Sequence, residues 1–274
     1  MNDPFSFAVI GKAMEVHREL GPGVDEIFYH ELLSERLRTA GLEHLCRPRG
    51  RLLHRGVVAD IFEADLIFPG SLAAELKCLR GVFEPEHYLQ LMCYQKFWRV
   101  PTGLLFDFAK DGLLHRRVNY QPAPTAGFDG LSLIADAPDL GGDRDLGAAI
   151  VQGVAHVIVA HGFGYRDTTY RGLLAAEFNA ESLGCLTAPG ATVRLNHRPL
   201  GETRCDCLAV GGRFGIKVLA LRRTITAADV AILRTHLRLL ELPHGFILNF
   251  GKSTLEHGWI RRPLADPKIG ESQR

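Results

Sequence analysis

Four charged side chains, Glu63, Asp65, Glu75 and Lys77, stand at a spacing that could do chemistry. The runs that carry them, Glu63-Ala64-Asp65-Leu66-Ile67 and Glu75-Leu76-Lys77, flank the turn residues Pro69-Gly70-Ser71. If Phe68 faces Leu72 across an antiparallel hairpin, counting outward sets Asp65 opposite Glu75 and Glu63 opposite Lys77. Strand side chains alternate, so all four then project to one side. Like charges directly opposite one another destabilise a hairpin, and the acid pair calls for compensation from Lys77, from arginines or from a bound cation. Mg2+ (or Mn2+) is the most compact answer, a hard cation that takes one or two carboxylates, keeps water and accepts phosphate oxygens. In that scheme Asp65 and Glu75 hold the metal, the metal lowers the pKa of a water it binds, and Lys77 positions that water or offsets charge on a scissile phosphate. Burial would push the Lys77 pKa down and the carboxylates would push it up. The same pattern also suits a solvent-facing hairpin with ordinary Glu63–Lys77 and Asp65–Lys77 contacts, and spacing alone does not separate the two.

The elements that must position these residues can be read from periodicity and punctuation. Ile10, Ala13, Val16 and Leu20 predict a helix from Ser6 to Leu20, stopped by Gly21-Pro22-Gly23. A second helix is expected from Val24 to Ala40, with Ile27, Leu33 and Leu37 on its core face and Gly41 as its cap. Strand character follows over Leu45 to His54, Val57 to Phe68 and Leu72 to Leu79, a meander. Glu84-Pro85-Glu86 opens a helix that runs to about Trp98, and strands Gly103 to Phe108 and Leu113 to Asn119 close the unit.

Residues 121–142, rich in Pro, Gly, Ala and Asp, read as a linker, and beyond them the same order of elements recurs. Helices are expected over Asp143 to Ala160 and from Asp167, strands near Val193, Cys205 and Phe214, a helix from Thr226, and a strand Gly245 to Phe250. Gly23, Tyr29, Leu32 and Leu33 match Gly164, Tyr170, Leu173 and Leu174, and Pro101 to Phe108 resembles Pro243 to Phe250. With two long copies, a pair of globular domains (1–120 and 143–274) is the expected outcome rather than a solenoid.

The run Val16 to Tyr29 resembles the signature of the GxxExxY proteins, supplied by Gly23, Glu26 and Tyr29. The likeness continues through Glu63 to Ile67, Glu75-Leu76-Lys77, Gln90-Leu91-Met92-Cys93-Tyr94 and the strand closing at Phe108, in the family's order over nearly all of residues 6–120. That family is placed in the PD-(D/E)XK nuclease superfamily. The resemblance implies an α/β (α+β) fold of two tandem αβββαβ domains, each a mixed central sheet flanked by helices, with catalytic residues on the central hairpin. It makes Asp65, Glu75 and Lys77 the motif, Glu26 an acid from the first core helix and Gln90 the polar residue of the later helix; His17 fits the family's VH pair. Glu26 also suits a helix N-terminus without any catalysis, and Gln90, His17 and Tyr29 equally suit structural roles.

The second copy departs from the motif. Gly215, in the run Gly215-Ile216-Lys217, stands where the family has its glutamate, and a two-residue turn at Gly211-Gly212 would pair Asp206 with Lys217 across the hairpin. Asp167 replaces the signature glutamate, and Ile232 and His236 fall where Gln90 and Tyr94 fall in the first copy. This copy is expected to fold without cleaving, packed with the first as an intramolecular pseudo-dimer or binding part of the nucleic acid.

Composition is that of an ordinary globular protein of 274 residues, with no long apolar run and no basic leader; a cytoplasmic location without membrane attachment is expected. The six cysteines lack structural-zinc spacing, and reduced buried thiols are the favoured reading. A net charge of +1 gives no large electrostatic footprint for nucleic acid and weighs against tight non-specific binding, although Arg47, Arg49, Arg51 and Arg55 could meet phosphates or protect a strand edge. Three functions compete: a metal-dependent nuclease acting on DNA ahead of RNA, a catalytically inactive nucleic-acid- or protein-binding module, and a hydrolase of small phosphate esters.

Overall fold

The computed structural model describes residues 3–122, 128, 130–195 and 198–262. Asp3 caps the first helix, α1 (Pro4–Leu20), accepting from the amides of Phe5 and Ser6, and Val9, Ala13 and Val16 form its buried stripe. Gly21 and Gly23, at φ of 67° and 96°, turn the chain into α2 (Glu26–Thr39), which starts two residues later than periodicity suggests and buries Tyr29, Leu33 and Leu37. Ile27, expected on the core face, is only half-buried.

Three continuous strands were expected next; five are present: β1 (Leu45–Cys46), β2 (Arg49–His54), β3 (Val57–Glu63), β4 (Leu66–Phe68) and β5 (Leu72–Lys77). The breaks fall at Arg47-Pro48 and Ala64-Asp65. Arg47 takes a left-handed φ of 48°, and Pro48 has no N–H to donate, so the chain leaves the sheet there. Bonds from Arg47 N to Asp65 O (2.8 Å) and Ala64 N to Pro48 O (3.3 Å) hold the crossing. β2 and β3 form a separate two-stranded ribbon, while β1, β4 and β5 continue with β6 (Thr102–Asp107) and β7 (Leu114–Asn119) in a sheet of order β1-β4-β5-β6-β7. Only β5 and β6 run parallel, joined by α3 (Pro85–Trp98). Leu66, Phe68, Leu72, Ala74, Leu76, Leu104 and Phe106 face the core built with α1 and α2. The opposite face receives α3 so closely that a Cβ at Gly103 would lie 2.6 Å from Leu91.

Of the expected linker, residues 123–127 and 129 lie outside the described residues; within the remainder stand α4 (Leu131–Ala135) and a 3-10 turn at Gly141–Asp143. The second copy then comprises α5 (Arg144–His161), α6 (Asp167–Ala180), β8 (Cys185–Thr187), the ribbon β9 (Gly190–Leu195) and β10 (Arg198–Arg204), β11 (Leu208–Val210), β12 (Phe214–Leu219), α7 (Ala227–Leu239), β13 (His244–Asn249) and β14 (Glu256–Arg261). Its sheet, β8-β11-β12-β13-β14, repeats the first in order and sense. Cys205, expected on a strand, lies in the link between β10 and β11; it and Cys207 are buried, and all six cysteines are free thiols. Spatial proximity groups Met1–Leu52, Asp60–Pro122 and Gly164–Arg166 into one unit, and Leu53–Ala59, Ala123–Phe163 and Asp167–Arg274 into a second. Among the described residues no helix is long and apolar enough to cross a membrane.

Candidate active site

The strand register decides where the charged residues go. Phe68 pairs with Leu72, Ile67 with Ala73 and Leu66 with Ala74, so the next position outward sets Asp65 beside Glu75. Asp65 stands just before β4, its Oδ2 accepting from the Leu76 amide at 2.7 Å and its carbonyl from Arg47 N and from His30 Nε2 at 3.1 Å. Alternation along β5 sends Leu76 into the core and Glu75 to the side covered by α3. Glu63 does not join them: the break at Ala64 leaves it on the ribbon, where it pairs with Arg49 at 2.6 Å.

Glu75 is 3 % exposed. Its Oε1 accepts from Lys77 Nζ at 2.5 Å, while its buried Oε2 has no hydrogen-bond partner among the described residues. Burial, and then the neighbouring Asp65 carboxylate, push the Glu75 pKa up to about 8 against the pull of Lys77. For Lys77, burial opposes the charge, yet Glu75, Asp65 and Glu26 together outweigh it and hold the ammonium above the ordinary lysine value. Glu26, exposed in the first turn of α2, is close enough to feel both Lys77 and Asp65; burial of its carboxyl, foremost, raises its pKa.

The helix α3 supplies a residue to which sequence reasoning gave no role. Tyr94 is buried, its hydroxyl receives Gln90 Nε2 at 2.8 Å, and its pKa is raised by burial and then by the Glu75 charge. The i, i+4 spacing of Gln90 and Tyr94 on the face toward β5 was the available signal. Asp65, Glu75, Lys77, Glu26, Gln90 and Tyr94 therefore share one site. His17 and Tyr29 do not belong to it. His17 Nε2 donates to Lys110 O at 2.8 Å. Tyr29 donates to Gly21 O at 2.5 Å, accepts from Val24 N and stacks on Phe108 at 4.6 Å. Tyr170 repeats that arrangement with Gly162 O at 2.7 Å and Phe250 at 4.0 Å, so the signature tyrosine closes the turn between two helices in both copies. Asp107, next to Lys77 in the register, is tied by its Oδ1 to the amides of Leu79 and Ala109.

The carboxylates meet the requirements of a divalent cation. Glu75 Oε2 is buried without a donor, a costly state for an ionised oxygen unless a positive charge meets it. Among the described residues no three His, Cys, Asp or Glu side chains converge as a metal cage; two carboxylates with room for water is the protein share that Mg2+ uses.

In the second unit the strand register differs from what residue type suggests. Val210 pairs with Phe214, so the turn is Gly211-Gly212-Arg213 and has three residues, as in the first copy. The parallel pairs Leu72 to Thr102 and Phe214 to His244 equate the two copies strand by strand. Lys217, not Gly215, then occupies the place of Glu75; Leu219 replaces Lys77 and Cys207 replaces Asp65. Arg47 N bonds to Asp65 O and Ala188 N to Cys207 O, whereas Ala64 N and Cys205 N both reach the proline carbonyl. One extra residue, Asp206, is therefore inserted before the strand. It sits 3.2 Å from the buried Lys217 ammonium, and Arg171 also pairs with it. Burial pushes the Lys217 pKa down. His236, in the place of Tyr94, is likewise held down by burial and by Lys217.

A family model for the PD-(D/E)XK nuclease superfamily matches residues 3–119 and 144–262, once for each copy. No curated protein matches. Among solved structures, the crystal structure of SSO0001 is 13% identical, covering 53% of this chain and 86% of that chain with a TM-score of 0.24, too low to bear on the fold.

Proposed function

Because the chain belongs to the PD-(D/E)XK nuclease superfamily, whose members are usually nucleases that use divalent metals, we propose that it is a metal-dependent nuclease hydrolysing phosphodiester bonds of DNA, with RNA the alternative substrate. Within that superfamily it resembles the GxxExxY proteins through Gly23, Glu26 and Tyr29. The intact site belongs to residues 1–120, and the copy at 143–274 does not cleave.

The observation that carries this reading is Glu75: a buried carboxylate beside a second one, with one oxygen unpaired. Asp65 and Glu75 would hold Mg2+ or Mn2+, and the ion would supply Lewis acidity toward phosphate and an activated water. Lys77 keeps its proton, so its ammonium can face the charge that grows on the phosphate as the bond breaks. Gln90 donates to the Tyr94 hydroxyl, which feels the Glu75 and Asp65 charges. Glu26, in the first turn of α2, adds an acidic group that interacts electrostatically with Asp65 and Lys77.

The test is cleavage of end-labelled single- and double-stranded DNA and RNA in Mg2+ or Mn2+ against EDTA. Cleavage that needs the ion and is lost in Asp65→Ala and Lys77→Ala supports the reading; cleavage that survives either change overturns the assigned site.

A further inference from the structure

Arg47 has a backbone role and an unused side chain. Its N–H bonds to Asp65 O at 2.8 Å from a left-handed conformation at φ 48°, one step beyond the β1–β4 pairs Leu45–Ile67 and Cys46–Leu66, so it lies directly across from Asp65. The guanidinium is exposed, and among the described residues it makes no hydrogen bond or ion pair; its charge reaches Glu26 only through space. Of the other arginines of the same basic run, Arg49 pairs with Glu63 at 2.6 Å and Arg55 with Glu177 at 2.8 Å, whereas Arg51, exposed on β2, makes no ion pair among the described residues but is not in register with Asp65.

The second copy provides an internal control. Ala188 takes the same conformation, at φ 46°, and makes the equivalent bond to Cys207 O at 3.0 Å. The fold thus needs the bent backbone but not the guanidinium. The charged head is present only in the copy that keeps the two carboxylates.

We infer that Arg47 is a substrate-binding residue that holds a phosphodiester group of the nucleic-acid backbone beside Asp65 and Glu75. This rests on the nuclease reading above. A guanidinium with no protein partner at the rim of an acidic site offsets the repulsion between those acids and a polyanion, and its planar fork matches a phosphate. A side chain that merely screened Glu26 would leave substrate affinity untouched.

The test is steady-state cleavage of a labelled oligonucleotide in Mg2+ over a salt series, for wild type, Arg47→Ala, Arg47→Lys and Arg51→Ala. Arg51 is an exposed arginine on the β2–β3 ribbon. Arg47→Ala should raise KM about tenfold, leave kcat within about twofold, and lower the slope of log(kcat/KM) against log[salt] by about one; Arg47→Lys should restore part of the loss. Ala188 shows that alanine is accommodated in that backbone conformation. An unchanged KM and slope in Arg47→Ala, or an equal loss in Arg51→Ala, overturns the inference while leaving the nuclease reading intact. A wild type that neither binds nor cleaves overturns that reading, and the inference with it.

Discussion

Glu75→Gln should stabilise the metal-free protein at alkaline pH. An isolated glutamate ionises near 4.5, but Glu75 in the fold does so near 8. At roughly 1.4 kcal/mol per pH unit, the folded state disfavours the charged carboxylate by about 5 kcal/mol. Between those two values the folded chain binds one proton more than the unfolded chain, so stability falls as pH rises from about 4.5 to 8 and is level above that. The attraction of Lys77 is already contained in that value, and relaxation of the buried site trims the cost that is realised. The variant carries no such proton. Wild type and Glu75→Gln should therefore be close in stability at pH 5, and the variant ahead by roughly 2–4 kcal/mol at pH 9 in EDTA, a shift of about 1–2 M in the urea midpoint. Trp98 lies in the first unit and Trp259 in the second, so fluorescence in a Trp259→Phe background follows the unit that matters. Mg2+ at one hundred times its Kd should then raise wild-type stability by about 2.7 kcal/mol and leave the variant unmoved. A flat wild-type profile from pH 5 to 9, or a variant that tracks it in parallel, refutes the reasoning.

Other substitutions separate catalysis from folding. Tyr94→Phe removes the hydroxyl that receives Gln90 and should cost less than about tenfold in kcat with the melting temperature nearly unchanged, read by cleavage and calorimetry. Tyr29→Phe should lower stability by about 1–3 kcal/mol, since Gly21 O and Val24 N lose their partner, while specific activity of the folded fraction stays the same. Lys217→Met replaces a buried ammonium with an apolar chain of similar length; stability should move by no more than about 2 kcal/mol and cleavage not at all, as measured by urea titration and the oligonucleotide assay.

Much of the site could be read from the chain because it depends on short-range arithmetic. The turn at Pro69-Gly70-Ser71 sets the register, and alternation does the rest, so Asp65 meets Glu75 as counted. Glu63 escaped the same count because alternation holds only while a strand continues, and the strand break at Ala64 rests on a contact with Pro48 sixteen residues earlier in the chain. The second copy shows the opposite failure. Its Gly-x-Lys invites alignment with the motif on residue type, but the parallel pairing of β12 with β13 puts Lys217, not Gly215, in the glutamate's place, and the inserted Asp206 supplies the counter-charge. Tyr94 was visible in the sequence as a residue and invisible as a group within electrostatic reach of Glu75, because that proximity depends on the crossover from β5 through α3.

The most direct measurement is anomalous diffraction from crystals soaked in Mn2+. One site should appear in the first unit, with Asp65 and Glu75 as ligands, the unpaired Glu75 Oε2 among the ligand atoms, and none should appear beside Cys207 and Lys217. An ion absent from Asp65 and Glu75 at saturating Mn2+, or bound in the second unit instead, would contradict the account.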